Sequence, residues 1–457
     1  MLRIIKISAV VTFAMISLTM IAQDRIVQRA VCEGNISKLD SLLKTTDINV
    51  KDRRGRTLAH YAIGCRQEKT LDFLIKRGID VNVGDNQNHT PLFVTVQFRN
   101  DELFKKLLAA NANINVGTSP LHRAVINGDL DFVKQLVNDI TDVDVLNDSG
   151  NTPLAIAIRQ GSTEIAEFLI AKGADKNKIK TYEFSGEFLG QDKPGLEPKI
   201  FAHNFVSTEN STHSSTFSPD GKEFYYTVES RVYHGGTIMV SKLKNKRWTT
   251  PEPADILGDY REIDPFITSD GSAMYFSSNR PVKEGDSIKG IDLWMVKRKG
   301  EKWGKPIHLG EDVNTEYADW FPTISKKGTL FFSTGPSRSS NIVYSEFKNG
   351  KYQKAIPLSD AVNTKHRDYD PLIAPDEGYV IFSSNRPEGK GNSDLYVSFK
   401  NANGSWTKAK NMGEKINTSG SEFAPGISPD GNYFFYTSRG NIYWVDSKII
   451  QNLKLQY

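Results

Sequence analysis

Arginines and carboxylates return at near-regular intervals through the second half of this chain. Asn279-Arg280-Pro281 and Asn385-Arg386-Pro387 are near-copies, and Arg231, Arg338 and Arg439 fall close to equivalent positions. Glu262, Asp264, Asp319, Asp368, Asp370 and Glu422 keep step with them. A guanidinium offers a rigid fork of donors that matches a carboxylate bidentately. Such pairs either pin neighbouring structural units together or line a polar site for a glycan, a peptide or a protein surface. Bond-making chemistry asks for more: a nucleophile beside a base, or two placed carboxylates. No Gly-x-Ser-x-Gly elbow, His-x-x-x-His spacing or phosphate-binding glycine loop occurs. His213, His308 and His366 stand apart from one another and read as surface or loop histidines. No catalytic residue, metal site or cofactor is expected.

The elements that carry these charges are short aromatic and β-branched runs separated by Gly/Pro turns. A strand–turn–strand unit appears five times, at Ser215–Tyr226, Asp264–Ser278, Phe321–Ser333, Asp370–Ser384 and Ala424–Ser438. Its turn is Ser-Pro-Asp-Gly at 218–221 and 428–431, varied to Lys326-Lys327-Gly328 and Asp376-Glu377 elsewhere. Proline presets one backbone angle, Asp bonds the local backbone, and Gly takes the positive φ. A third strand follows in most copies, then an aromatic-led segment at Trp248, Trp303, Tyr352 and Trp406. Four strands, repeated, make a propeller blade.

The unit resembles the PD40 or WD40-like repeat of TolB-type (Tol-associated) propellers in the bacterial envelope. That resemblance implies an all-β propeller over 201–457, of five blades with six as the alternative. In a four-strand meander the Pro-Asp-Gly turns share one face. Arg231, Arg280, Arg338, Arg386 and Arg439 then ring the opposite mouth of the channel with Glu262, Asp264, Asp319, Asp370 and Glu422. Charged loops on a rigid scaffold are where such folds bind.

The first half has another period. Thr57-Leu58-Ala59-His60, Thr90-Pro91-Leu92-Phe93, Ser119-Pro120-Leu121-His122 and Thr152-Pro153-Leu154-Ala155 recur at intervals of 33, 29 and 33 residues. Each is followed by a second apolar helical segment, such as Leu71–Ile75 and Ile165–Ile170. Thr caps the helix and Pro sits in its first turn, where the missing N–H costs nothing. The pattern resembles the ankyrin repeat, which implies an α-helical solenoid of about five units over 24–180 and, by that likeness, protein partners. His60 and His122 are scaffold in this reading. The stretch 181–200 reads as a linker, so the fold class is multidomain, α-helical then all-β.

Fifty-eight Lys+Arg against 54 Asp+Glu leave a net charge of +4 over 457 residues, too small an excess for a nucleic-acid footprint. No run of like charges concentrates it in this reading. Arg3 and Lys6 precede the apolar stretch Ile7 to Ala22, the layout of a secretory signal over 1–22. An uncleaved anchor helix is the competing reading, though the stretch falls short of the roughly 20 residues that span a bilayer. Export to the periplasm or beyond is expected, as a monomer without a lipid anchor. Cys32 and Cys65 fall on the first helices of neighbouring units. Packed helices lie about 8–10 Å apart, whereas bridged Cα atoms need under about 7 Å, so two buried, reduced thiols are expected. The functional expectation is a non-enzymatic binding scaffold, with a carbohydrate-binding or carbohydrate-active propeller as the alternative.

Overall fold

The computed structural model describes residues 25–138, 141–179, 184–208, 210–229, 235–256, 258, 260–283, 285–288, 290–336 and 339–455. The expected signal segment, together with Arg231 and Arg338, lies outside them. The chain divides into two compact units, one ending at Lys180 and the other starting at Thr181.

The first unit stacks five helix pairs: 25–32 with Ile36–Leu42, Leu58–Gly64 with Glu68–Lys76, Pro91–Gln97 with Asp101–Ala109, Pro120–Ile126 with Leu130–Leu136, and Pro153–Arg159 with Thr163–Ala171. Hydroxyls begin the helices as expected: Thr90, Ser119 and Thr152 accept from the N–H groups of Phe93, His122 and Ala155. No pair can bury its apolar face alone, so one core runs from Val27 to Ala174. The ring nitrogens Nε2 of His60 and His122 lie 2.9 Å from the carbonyls of His89 and Asn151 in the following unit. Both histidines are inter-repeat scaffold.

Cys32 and Cys65 are joined in a disulfide, with Cα atoms 5.2 Å apart, and both are half-buried rather than buried. This corrects the expectation of free thiols. Interaxial spacing overstates the gap, because each Cα stands about 2.3 Å off its helix axis. Facing Cα atoms of helices 8–10 Å apart therefore approach to about 3.5–5.5 Å. The two cysteines occupy the same position at the ends of successive first helices, so their Cα atoms face each other across the gap.

The second unit is a ring of five antiparallel blades of four or five strands. Their inner strands are Ser211–Phe217, Glu262–Ile267, Trp320–Ile324, Asp368–Ile373 and Glu422–Ile427. Lys199–Ile200 pairs with Asn441–Asp446 and supplies the outer strand of blade 5, so both ends of the unit close the ring. No sixth blade is formed among the described residues. Residues 184–200, expected as a linker, pack against the propeller. Leu189 is buried, and Phe188 meets Phe217, Tyr433 and Trp444 edge-on or tilted.

Three of the aromatic-led segments fasten their blades to what precedes them. Trp303 Nε1 donates to the Tyr225 hydroxyl at 3.0 Å, Tyr352 and Tyr275 hydroxyls meet at 3.0 Å, and Trp248 Nε1 donates to Gly186 O at 2.9 Å. In blade 4 the turn carries Glu377 at φ 61°, where the blade 1 turn has Gly221 at φ 68°. That glutamate reaches into blade 3, accepting from the hydroxyls of Ser325 (2.9 Å) and Thr329 (2.8 Å), and it pairs with Lys400 at 2.9 Å. The departure from the turn motif is an inter-blade clasp, and its bonds offset the cost of a side chain in left-handed backbone.

Candidate functional site

The expected ring of charges resolves into two layers with different partners. Glu262, Asp319, Asp368 and Glu422, at the start of their inner strands, are fully buried. Arg280 pairs with Glu262 and stacks over Phe276 and Trp294, while Arg386 meets Asp368 at 2.9 Å and stacks over Phe382 and Tyr396. The near-copies at 279–281 and 385–387 thus do the same job in blades 2 and 4. Arg439 stands exposed on a left-handed turn, and Glu422 takes its bonds from Thr418 and Ser438 instead.

A six-residue box explains the rest of this layer. In Asn314-Thr315, Asn363-Thr364 and Asn417-Thr418 the Asn stands five residues and the Thr four residues before the acid. The Asn side chain exchanges two hydrogen bonds with the backbone of the preceding blade's third strand, at Leu293, Ile342 and Leu395. The Thr N–H and hydroxyl both donate to the acid, at 2.8 and 3.1 Å for Asp319 and 2.6 and 2.8 Å for Asp368. Burial nevertheless pushes the Asp319 carboxyl up to about 6, outweighing the hydrogen bonds from Thr334 and Thr315. The repeated Asn-Thr spacing was visible in the sequence as a motif, but pairing the acids with arginines concealed it.

Deeper in, every inner strand has a register shift. The residues Ser214, Asp264, Phe321, Asp370 and Ala424 all sit there with φ between 51° and 57°. Five non-glycine residues in left-handed backbone are a structural commitment. Three of the bulges turn an N–H toward a neighbouring blade: Asp264 to Thr227 Oγ1 (3.0 Å), Phe321 to Ser277 Oγ (3.1 Å) and Ala424 to Asp370 Oδ2 (3.3 Å).

At the bulges of blades 1 and 2 the side chains form a chain of contacts. His213 lies between Glu229 (Nε2 to Oε1, 3.2 Å) and the Ser214 hydroxyl (Nδ1 to Oγ, 2.6 Å). Ser214 donates to Asp264 Oδ1 at 2.7 Å and Ser277 to Oδ2 at 3.1 Å, and Arg261 backs Glu229 at 2.5 Å. Burial first, then the charge of Asp264, push the Asp370 carboxyl well above the ordinary carboxylate range. His213 is therefore a buried network histidine, contrary to its reading as a surface residue. His213 and Glu229 meet across one hairpin of blade 1, but sequence spacing could not have joined them to Asp264, which reaches them only because blades 1 and 2 are adjacent.

An acid–imidazole–hydroxyl chain has the parts of a nucleophilic site, but its access is narrow. The cavity lined by Ser214, Asp264, Phe321 and Pro425 holds about 30 Å³. That is room for about two waters, against roughly 300 Å³ or more for a small-molecule site. The Ser214 hydroxyl also donates to a carboxylate rather than to the imidazole. No group of three or more His, Cys, Asp or Glu suited to a metal ion occurs among the described residues, and none of their helices is long and apolar enough to cross a membrane.

With that geometry in hand, comparison with known proteins bears on the first unit. Residues 27–118 and 94–180 match the family model of ankyrin repeats in three copies. The helical unit is an array of ankyrin repeats. A 57-residue stretch is 44% identical to protein phosphatase 1 regulatory subunit 27 of Homo sapiens, and equally to that of Mus musculus. The match takes in 12% of this chain and 37% of each relative, so the chain spans little more than a third of their length.

Proposed function

We propose that this protein is an exported, non-catalytic scaffold that holds protein partners of the cell envelope through its ankyrin array and its propeller, the latter of the PD40 or TolB type. The observation that carries this is the fate of the charges expected to do chemistry. Arg280 pairs with Glu262 and Arg386 with Asp368 inside the scaffold, and the cavity beside Ser214 and Asp264 is too small for a substrate. What remains for function is surface on two repeat arrays, the kind of surface that binds macromolecules. The disulfide supports export, since such bonds persist in oxidising compartments. Cross-linking on intact cells followed by mass spectrometry tests the proposal: partner proteins should be captured by the full chain, and a blank result overturns it.

The carboxylates Asp264 and Asp370, close enough for the charge of one to act on the other, favour one second reading, a carbohydrate-active propeller. A glycan screen showing turnover that Asp264→Asn or Asp370→Asn abolishes would replace the scaffold reading.

A further inference from the structure

The fingers of the ankyrin array are unequal in charge. The first reads Lys51-Asp52-Arg53-Arg54-Gly55-Arg56, whereas the equivalent stretches 84–89 and 146–151 contain no Lys or Arg. A concavity of about 380 Å³ opens beside the first finger, with Arg25 on its far wall. The size falls within the range of ligand pockets.

Among the described residues only one carboxylate lines it, and that carboxylate is already engaged. Asp52 accepts from the N–H groups of Arg54 and Arg56 (both 2.8 Å), from Arg56 Nε (2.9 Å) and from the Tyr61 hydroxyl (3.0 Å). The Arg56 guanidinium lies 4.8 Å over the Tyr61 ring, so the base of the concavity is built from side chains that hold one another. Arg25, Lys51, Arg53 and Arg54 remain, all exposed. Four cations around a walled space raise the local potential far above what the chain's net +4 implies. The even spread of charge expected from the sequence does not hold at this finger.

The disulfide joins the two walls. Cys32 ends the helix that carries Arg25, and Cys65 caps the helix that carries Tyr61. A covalent tie between walls lowers the ordering cost of whatever fills the space between them.

We propose that this concavity binds an acidic segment of a protein partner, with several carboxylates close together in sequence. The idea rests on the scaffold reading above and names the chemistry of one docking point. A nucleic-acid backbone or a membrane surface would call for a basic stripe along the array. Here the neighbouring fingers are neutral or acidic, and the site is a concavity at one end. Guanidinium forks suit carboxylates held at short spacing.

The test uses the purified full chain and a fluorescein-labelled twelve-residue peptide carrying six glutamates, with the Gln version as control. Fluorescence anisotropy should show the Glu peptide binding, and binding should weaken steeply as NaCl rises from 50 to 300 mM. Arg53→Ala/Arg54→Ala, which touches only exposed side chains, should lower affinity about tenfold or more with an unchanged thermal midpoint. Dithiothreitol should weaken binding several-fold. Equal affinity for Glu and Gln peptides, or for wild type and the double variant, overturns the proposal. So does association with phosphatidylglycerol vesicles in the absence of peptide binding. Cross-linking in cells with undiminished yield from the double variant would sink this docking point while leaving the scaffold reading intact.

Discussion

Breaking the Cys32–Cys65 bond should destabilise the ankyrin unit and leave the propeller untouched. The bridge closes a loop of 33 residues. In the chain-entropy description, removing that closure frees about 12 cal/mol/K in the unfolded state, or about 3.7 kcal/mol at 25 °C. Stacked repeats spread the loss through neighbouring interfaces, so the whole array should feel it. With a urea slope of about 2 kcal/mol/M, the midpoint of Cys32→Ser/Cys65→Ser should fall by about 1–2 M. The sequence supplies a clean assay. All six tryptophans, from Trp248 to Trp444, lie in the propeller, whereas all helices of the described residues except Lys448–Lys454 and short 3₁₀ turns lie in the array. Ellipticity at 222 nm therefore follows the array, and tryptophan fluorescence follows the propeller. Only the ellipticity transition should move, and dithiothreitol should reproduce the shift in wild type. A midpoint unchanged by both treatments, or fluorescence and ellipticity shifting together, would refute the reasoning.

Arg386→Ala strips the cation from Asp368, whose side chain has no exposed surface; the stranded charge should cost about 3–5 kcal/mol. Tryptophan fluorescence should report it as an earlier urea transition, and an unmoved midpoint would show that the pair is not what pins blade 4. Asp370, raised to about 7 by burial and by Asp264, binds its proton more tightly folded than unfolded. Its contribution is whole below about pH 4, the unfolded value, and is lost as pH rises through 7. Asp370→Asn should flatten the decline in propeller stability between pH 5 and 8, and parallel profiles for the two proteins would count against this. Glu377 has the opposite sign. Against the opposing effect of burial, hydrogen bonds from Lys400, Thr329 and Ser325 hold its carboxyl down to about 2. That stabilisation is present above about pH 4.5 and lost as pH falls through 2, so Glu377→Gln should lessen the acid sensitivity of the fluorescence transition below pH 4.5. Glu377→Gly relieves the left-handed backbone yet removes the clasp; a more stable propeller in that variant would show that the clasp contributes less than the strain.

Much of the architecture was legible in order along the chain, because repeats declare themselves by period. The Thr-Pro-Leu-His starts and the Pro-Asp-Gly turns encode local geometry, a capped helix and a positive-φ turn, and local geometry needs no knowledge of distant residues. Five turns gave five blades, and His60 and His122 were scaffold as their motif implies. The disulfide is not legible from helix spacing, because an interaxial distance and a Cα separation differ by two helix radii. The functional residues were harder. Which acid meets which arginine depends on strand register within a blade, and that Asn314, Asn363 and Asn417 hold a neighbouring strand and that His213 is buried between Glu229 and Asp264 depend on contacts between blades. By itself the sequence determined the two periods, the elements each must form and the inventory of charges. Only the tertiary structure decided which charges are spent inside the scaffold and which, at the finger 51–56, are left facing solvent, because closing a ring or stacking a solenoid sets the distances over which opposite charges neutralise one another.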